Sequence, residues 1–281
     1  MSICVLIFKK YNIIVSTVPI SSRTMSIYQL FFILWILILP GFGLAQAKLK
    51  IESKRVVVGE TLNYKATWGF FTIGRATTKI DKEIYKVGSN ICYKIDITGQ
   101  TKGLAKLFYV DDKWISYIDT STITTHRSFR SIREGTYELD EKVHFDQLNK
   151  KAEVKVYDKK TKSYVLKKVY NTPENIRDVI AGFMTFRLVD LAKCTKGEVF
   201  TVNGFYEDEG YKIDVTYIGD EYIKTDNGMI LCHKVKPSIP KNKVFDGKNA
   251  IVVWLSADKS QTIIRIRANM FIGNIQIELK K

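Results

Sequence analysis

Histidine is nearly absent from this chain of 281 residues, which holds only His126, His144 and His233. There is no H-E-x-x-H pair for a zinc protease, no G-x-S-x-G elbow and no glycine-rich phosphate loop. The four cysteines form no C-x-x-C pair, which excludes the usual structural zinc spacings. Cys4 lies in the N-terminal stretch, leaving Cys92, Cys194 and Cys232. An odd number permits one disulfide and a spare thiol, although each sits in or beside an apolar segment, where a buried free thiol is the plainer expectation. Cys232 and His233 are adjacent, so on a strand they point to opposite faces and cannot form a dyad. The acidic trio Glu207-Asp208-Glu209 reads as a solvated hairpin loop rather than a calcium site. No metal, cofactor or nucleophile is expected, and an enzyme is the less favoured class.

Acidic residues are missing altogether from residues 1–45, which carry Lys9, Lys10 and Arg23. Ile27 to Leu39 is an almost unbroken apolar run, followed by Pro40-Gly41 and small residues at Gly43, Ala45 and Ala47. That order matches a cleavable export signal, with Met25 as an alternative start. We expect residues 1–45 to be an N-terminal extension and signal peptide, and 46–281 to be a single β-rich domain in the periplasm. The alternative is an inner-membrane anchor, because Ser26 to Ala47 is long enough to span uncleaved. No cysteine directly follows Ala45 at the expected cleavage site, so a lipid-modified cysteine is not available there. The net charge of +15 falls to +12 without the three basic residues of 1–45. Export argues against nucleic acid as a partner and leaves an anionic or lipid envelope component as the expected one.

From Leu49 onward the dominant period is two. Tyr64, Ala66 and Trp68 alternate with polar residues, as do Tyr93, Ile95 and Ile97, and Tyr211, Ile213, Val215 and Tyr217. Thr225-Asp226-Asn227-Gly228 marks a tight hairpin, and Lys159-Lys160-Thr161-Lys162 a basic hairpin tip. Leu107 to Val110 reads as a strand and Thr101 to Leu104 as a loop or a helical turn. About seventeen strands follow from this pattern. The expected fold is all-β and mostly antiparallel. It is a closed or half-closed barrel or a two-sheet sandwich, with one central amphipathic helix at residues 173–190. Thr172 suits its N-cap and Pro173 its first turn, while Ile176, Val179, Ile180, Phe183 and Phe186 form one apolar stripe. Asp178 and Arg187 lie off that stripe, about 180° apart, so each needs a separate partner. We expect both to anchor the helix, Arg187 on a strand carboxylate or backbone carbonyls. Trp68, Tyr109, Trp114 and Trp254 are the candidate interior aromatics, able to line a ligand site or simply to fill a core.

Gly59-Glu60-Thr61-Leu62-Asn63-Tyr64, then Ile73-Gly74-Arg75-Ala76, resembles the opening of the family called domain of unknown function 3108. Thr101 to Tyr109, Asp178 through Arg187 and Val253 to Asp258 follow in that family's order, with Ala181 and Met184 departing from its usual Ser and aromatic residue. The resemblance spans roughly 55–279. It implies an exported all-β cell-envelope protein of Gram-negative bacteria with no established reaction. The expected function is a non-catalytic β-barrel that binds an apolar or anionic envelope component. The alternatives are a structural or partner-binding envelope protein and a carbohydrate-active enzyme, which would need two facing carboxylates.

Overall fold

A computed structural model describes residues 55–101, 109–238, 250–269 and 273–280. The expected signal segment, the Thr101–Leu104 turn beyond its first residue and the first half of the Leu107–Val110 strand lie outside the described residues. Among the described residues fourteen strands make one antiparallel sheet. In chain order they are β1 (Thr61–Trp68), β2 (Phe71–Val87), β3 (Asn90–Thr101), β4 (Asp111–Asp119), β5 (Thr125–Glu134), β6 (Tyr137–Asp146), β7 (Lys151–Asp158), β8 (Ser163–Asn171), β9 (Val199–Tyr206), β10 (Glu209–Thr225), β11 (Gly228–Pro237), β12 (Ile251–Ser256), β13 (Ile263–Asn269) and β14 (Asn274–Leu279). The spatial order is β8-β7-β6-β5-β4-β3-β2-β1-β14-β13-β12-β11-β10-β9.

Apart from β8 and β9, every strand neighbour in sequence is a neighbour in the sheet, and β1 pairs with β14, as an up-and-down barrel requires. Among the described residues the ladder breaks at one place, between β8 and β9. Those edge strands share no ladder, so the barrel is half-closed rather than closed, and the two-sheet sandwich is not formed. Fewer strands exist than the local pattern suggested because β2 and β10 are each continuous over 17 residues. Their bulges, near Ile80 to Ile84 and Tyr217 to Gly219, bend them without ending them.

The helix α1 (Val179–Leu188) falls at the break in the sheet, between β8 and β9 in sequence. It is shorter than the expected 173–190. Its N-cap is Asp178, whose side chain accepts from Ala181 N at 2.9 Å, and not Thr172. The six residues before it are spent otherwise. Asn175 has φ 52°, which no helix interior allows. Arg177 N donates to Asn203 O (3.0 Å) and Arg177 O accepts from Phe205 N (2.7 Å), while Ile176 O accepts from Thr125 N (3.2 Å). This short extended piece laces β9 to β5 across the gap. Its bonds to β5 and β9 outweigh the local helical pattern.

Nor does α1 carry one stripe. Ile180, Ala181, Met184 and Leu188 pack on Ile80, Ile95, Ile118 and Ile123 of the first half of the chain. Phe186 turns the other way, against Phe200, Val202, Val215, Val235 and Val253 of the second half, with Phe183 at its edge. A helix apolar on most sides is a buried helix, and here it plugs the space between the two halves of the sheet. Ile176 belongs to a third cluster with Val143, Phe145, Val154 and Phe205.

Candidate functional site

Two sets of side chains on the inner face carry polar chemistry, one around the helix and one nearer the open seam. The helix set starts with Arg187, which is 3 % exposed at its side chain. Its Nη1 and Nη2 donate to Glu60 Oε2 and Oε1 at 2.6 and 3.0 Å, a two-point guanidinium–carboxylate pair. Glu60 stands just before β1 rather than within a strand. Tyr64, on β1, donates its hydroxyl to Ile263 O at 3.2 Å. Burial raises its pKa, and the pair of Arg187 and Glu60 acts on it electrostatically. Asp178 is fully enclosed: Oδ1 accepts from Ala181 N and from Thr125 Oγ1 (3.1 Å), and its own N–H donates to Thr125 Oγ1 (2.9 Å). Burial pushes the Asp178 carboxyl above its ordinary range, against the hydrogen bonds that favour its ion.

Two glutamines complete the fastening, and nothing in the local pattern marked them. Gln261 Nε2 donates to Arg187 O (3.0 Å) and Val189 O (2.7 Å), and its Oε1 accepts from Leu191 N (3.3 Å). It thereby satisfies the carbonyls that the end of α1 leaves without helical partners. Gln147 does the same for the lacing segment, donating to Thr125 O and Ile176 O and accepting from Ile176 N. Buried Arg177 donates to Asn175 O and Thr122 O, and burial lowers its pKa to about 10.

The second set lies on the inner face towards the β1–β2 end of the sheet. Cross-strand register aligns Trp114, Arg130 and Glu141 on β4, β5 and β6. Arg130 Nε and Nη2 donate to Glu141 Oε1 and Oε2 at 2.7 and 3.1 Å. The Trp114 ring stacks near-parallel with Tyr206 of β9, at 6.3 Å between centroids and 18° between planes. The Arg130 guanidinium carbon lies 5.6 Å from the Trp114 ring and 5.7 Å from Tyr206, within cation–π range of both. Asp112 and Glu134, buried, share this face by alternation. Lys167 of β8 pairs with Asp208 beyond the end of β9, and Tyr170 and Phe145 pack edge-on to Phe205. Side chains thus hold together the two edges that no ladder joins.

The four candidate interior aromatics separate. Trp114 is half-buried in the cluster just described. Trp68 and Tyr109 are 39 and 47 % exposed, which corrects their interior assignment. Each lies at or next to a strand end, where alternation no longer decides exposure. Trp254 is buried, but it alternates with Val253 and Leu255, which face the helix. It faces away instead, into a separate cluster with Ile223, Cys232, Val252 and Ile264.

Nucleophilic thiol chemistry has little support. Cys92, Cys194 and Cys232 are free, and burial pushes the first two up to about 11 and the third to about 12. His233 sits opposite Cys232's cluster, with Nδ1 2.5 Å from Asp220 Oδ1, which also accepts from the Tyr217 hydroxyl at 2.7 Å. Among the described residues no group of three His, Cys, Asp or Glu could hold a metal, and no helix is long and apolar enough to cross a membrane.

A family model for proteins of unknown function, DUF3108, matches residues 63–280. The chain belongs to that family. A solved β-barrel-like protein of another such family, DUF1849, from Brucella abortus has a TM-score of 0.52 at 10 % identity, covering 82 % of this chain and 98 % of its own. That likeness supports the barrel-like fold alone. A candidate exported protein with a YMCC-like fold from Bacteroides fragilis gives a TM-score of 0.35 at 12 % identity, covering 83 % of this chain and 100 % of its own. No curated protein matches. The opening motif now has physical content. Glu60 and Tyr64 converge on the neighbourhood of Arg187, and a Cβ at Gly74 would come within 2.4 Å of Gln100 O on β3.

Proposed function

We propose that this DUF3108 protein is a non-catalytic binding protein of the bacterial cell envelope, exported to the periplasm, whose inner polar cluster takes an anionic envelope component. Within that reading Asp178 and Arg187 are anchors of the plugging helix and not ligand contacts. The observation that carries the proposal is Arg130. It lies beside two stacked aromatic rings and is oriented by Glu141, and its Nη1 has no protein partner among the described residues. A fixed guanidinium with spare donors beside aromatic rings suits a phosphate- or carboxylate-bearing group. The net charge of the chain favours the same sign of ligand.

A wholly apolar ligand is less well served. The apolar part of the interior is occupied by Ile180, Met184, Phe186 and Leu188 of α1. A glycoside hydrolase is also less well served, because Glu141 already accepts two guanidinium hydrogen bonds and is poorly disposed to donate a proton. The apolar run at 27–39, with its small residues downstream, supports export.

The test is mass spectrometry of organic and aqueous extracts of the protein purified from its native envelope. It is run beside the paired variant Arg130→Gln with Glu141→Gln, which avoids stranding one buried charge. Wild type is expected to retain an anionic component that the paired variant loses. Equal recovery from both, or none from wild type, overturns the reading.

A further inference from the structure

The turn between β1 and β2 is the most apolar exposed point of the described chain. Trp68 pairs with Phe71 across a two-residue turn, Gly69-Phe70. Phe70 is 99 % exposed, Phe71 72 % and Trp68 39 %. Isolated exposed apolar residues are ordinary, as at Leu148 on the β6–β7 turn, but three aromatics within four residues at a tip are not. Two-residue turns normally carry Asn, Asp or Gly, so Phe70 stands where water-loving residues are the rule.

The tip is also held in place rather than trailing. Trp68 pairs with Ile275 of β14, and its indole lies across Gly273, where an added Cβ would fall 2.6 Å from Nε1. Only a residue without a side chain leaves the ring that place, so the aromatic tip is presented by the neighbouring turn.

The strands that carry it hold cations and no carboxylate. Residues 61–80 contain no Asp or Glu, with Arg75 nearest the tip, Lys65 paired with Asp226 and Lys79 at the far end of β1, and residues 266–277 contain Arg267 and no carboxylate either. The basic β7–β8 tip, with exposed Lys160 and Lys162, lies at the same end of the sheet. Of the carboxylates at that end, Glu138 pairs with Lys159, Asp140 with Arg133 and Asp208 with Lys167, while Asp111 accepts from Gln100 and Glu209 from the Tyr211 hydroxyl.

We propose that the β1–β2 tip docks this protein on an anionic lipid membrane surface, with Phe70 and Phe71 entering the interface and Trp68 at its rim. Aromatic side chains beside cations are what such a surface recognises: the rings leave water for the acyl boundary and the Lys and Arg groups meet lipid phosphates. The docked end is also the end nearer the Arg130 cluster. This inference does not depend on the proposed ligand, because the tip and Arg130 share no residue.

The experiment uses the full chain with vesicles of phosphatidylethanolamine and phosphatidylglycerol, some carrying brominated acyl chains, and with vesicles of phosphatidylcholine alone. The readout is bromolipid quenching of tryptophan emission in wild type and in Trp68→Phe, which assigns the quenched signal to the tip whatever the N-terminal apolar run contributes. Quenching attributable to Trp68 is expected on the anionic vesicles and should be weaker on phosphatidylcholine. Phe70→Ser with Phe71→Ser is expected to weaken that quenching at least about tenfold in lipid concentration, since each ring loses its apolar transfer. Because Phe70 and Phe71 touch no core cluster, the double variant should melt with wild type, which keeps the loss interpretable. The proposal is overturned if Trp68 is not quenched or if the double serine variant is quenched as strongly as wild type. It is equally overturned if the substitution instead turns a dimer into a monomer, which would make the tip a contact between copies.

Discussion

At the scale of single residues, the pairing of Arg187 with Glu60 is the most consequential contact described. Both groups are largely out of water, and a buried pair is costly to break from one side because the remaining charge is left without compensation. Arg187→Ala is expected to lower unfolding free energy by about 3 kcal/mol, read from urea midpoints, with Glu60→Gln recovering part of the loss in the double variant. If Arg187→Ala melts with wild type, the anchoring role fails. Asp178 gives a pH signature of the opposite kind to an ordinary paired carboxylate. Its folded pKa is raised by burial, so its contribution is fully present below the unfolded value and is lost as pH rises through the folded one. Asp178→Asn keeps a carbonyl oxygen for the Ala181 N–H and removes that titration. Stability of the variant relative to wild type should therefore rise with pH above about 4, checked by unfolding curves across a pH series. Asp119 runs the other way: hydrogen bonds from Ser121 and Thr122 outweigh its burial and hold it at about 2, so its contribution fades only as pH falls towards that value.

At the scale of elements, α1 is defined by what meets its ends. Asp178 closes the first turn, and Gln261, 74 residues beyond Arg187 and on another loop, takes up the last carbonyls. Gln261→Ala would leave Arg187 O and Val189 O buried with fewer donors, and a stranded buried carbonyl costs about 1–3 kcal/mol. We expect a loss of about 2–4 kcal/mol in chemical denaturation, whereas Lys259→Ala in the same loop should stay within about 0.5 kcal/mol. The helix termini were only half legible. Arg187 and Asp178 could be read as needing separate partners from their angular separation. Which residue caps the helix could not be read, because backbone bonds from β5 and β9 compete for residues 176–178 and have no local signature.

At the scale of the whole molecule, the break between β8 and β9 sets the architecture. A ladder of backbone bonds would seal it; instead Phe205, Tyr170 and Phe145 pack across it, Lys167 meets Asp208, and the lacing segment bonds both sides. Phe205→Ala should cost about 3 kcal/mol by removing a buried ring. Because the loss sits at the seam, amide exchange should rise first at Gly204, Phe205 and Arg177, and less in the β1–β14 ladder. Exchange rising uniformly over the sheet would show that the seam is not the weaker place.

Several features were decided by local chemistry and could be read from the chain alone. The two-residue period from Tyr64, Tyr93 and Tyr211 onward determined strands, their antiparallel pairing and the single helix between two sets of them. The Gly59–Tyr64 and Ile73–Ala76 motifs pointed to the family. The tertiary structure decided what depends on distant partners: that β8 and β9 stay unpaired, that α1 starts at 179, and that it is buried on two sides. It also decided that Trp68 is exposed while Trp254 is buried on the far face. Alternation assigns a side chain to a face, but only the rest of the sheet determines whether that face, at that point along the strand, is covered.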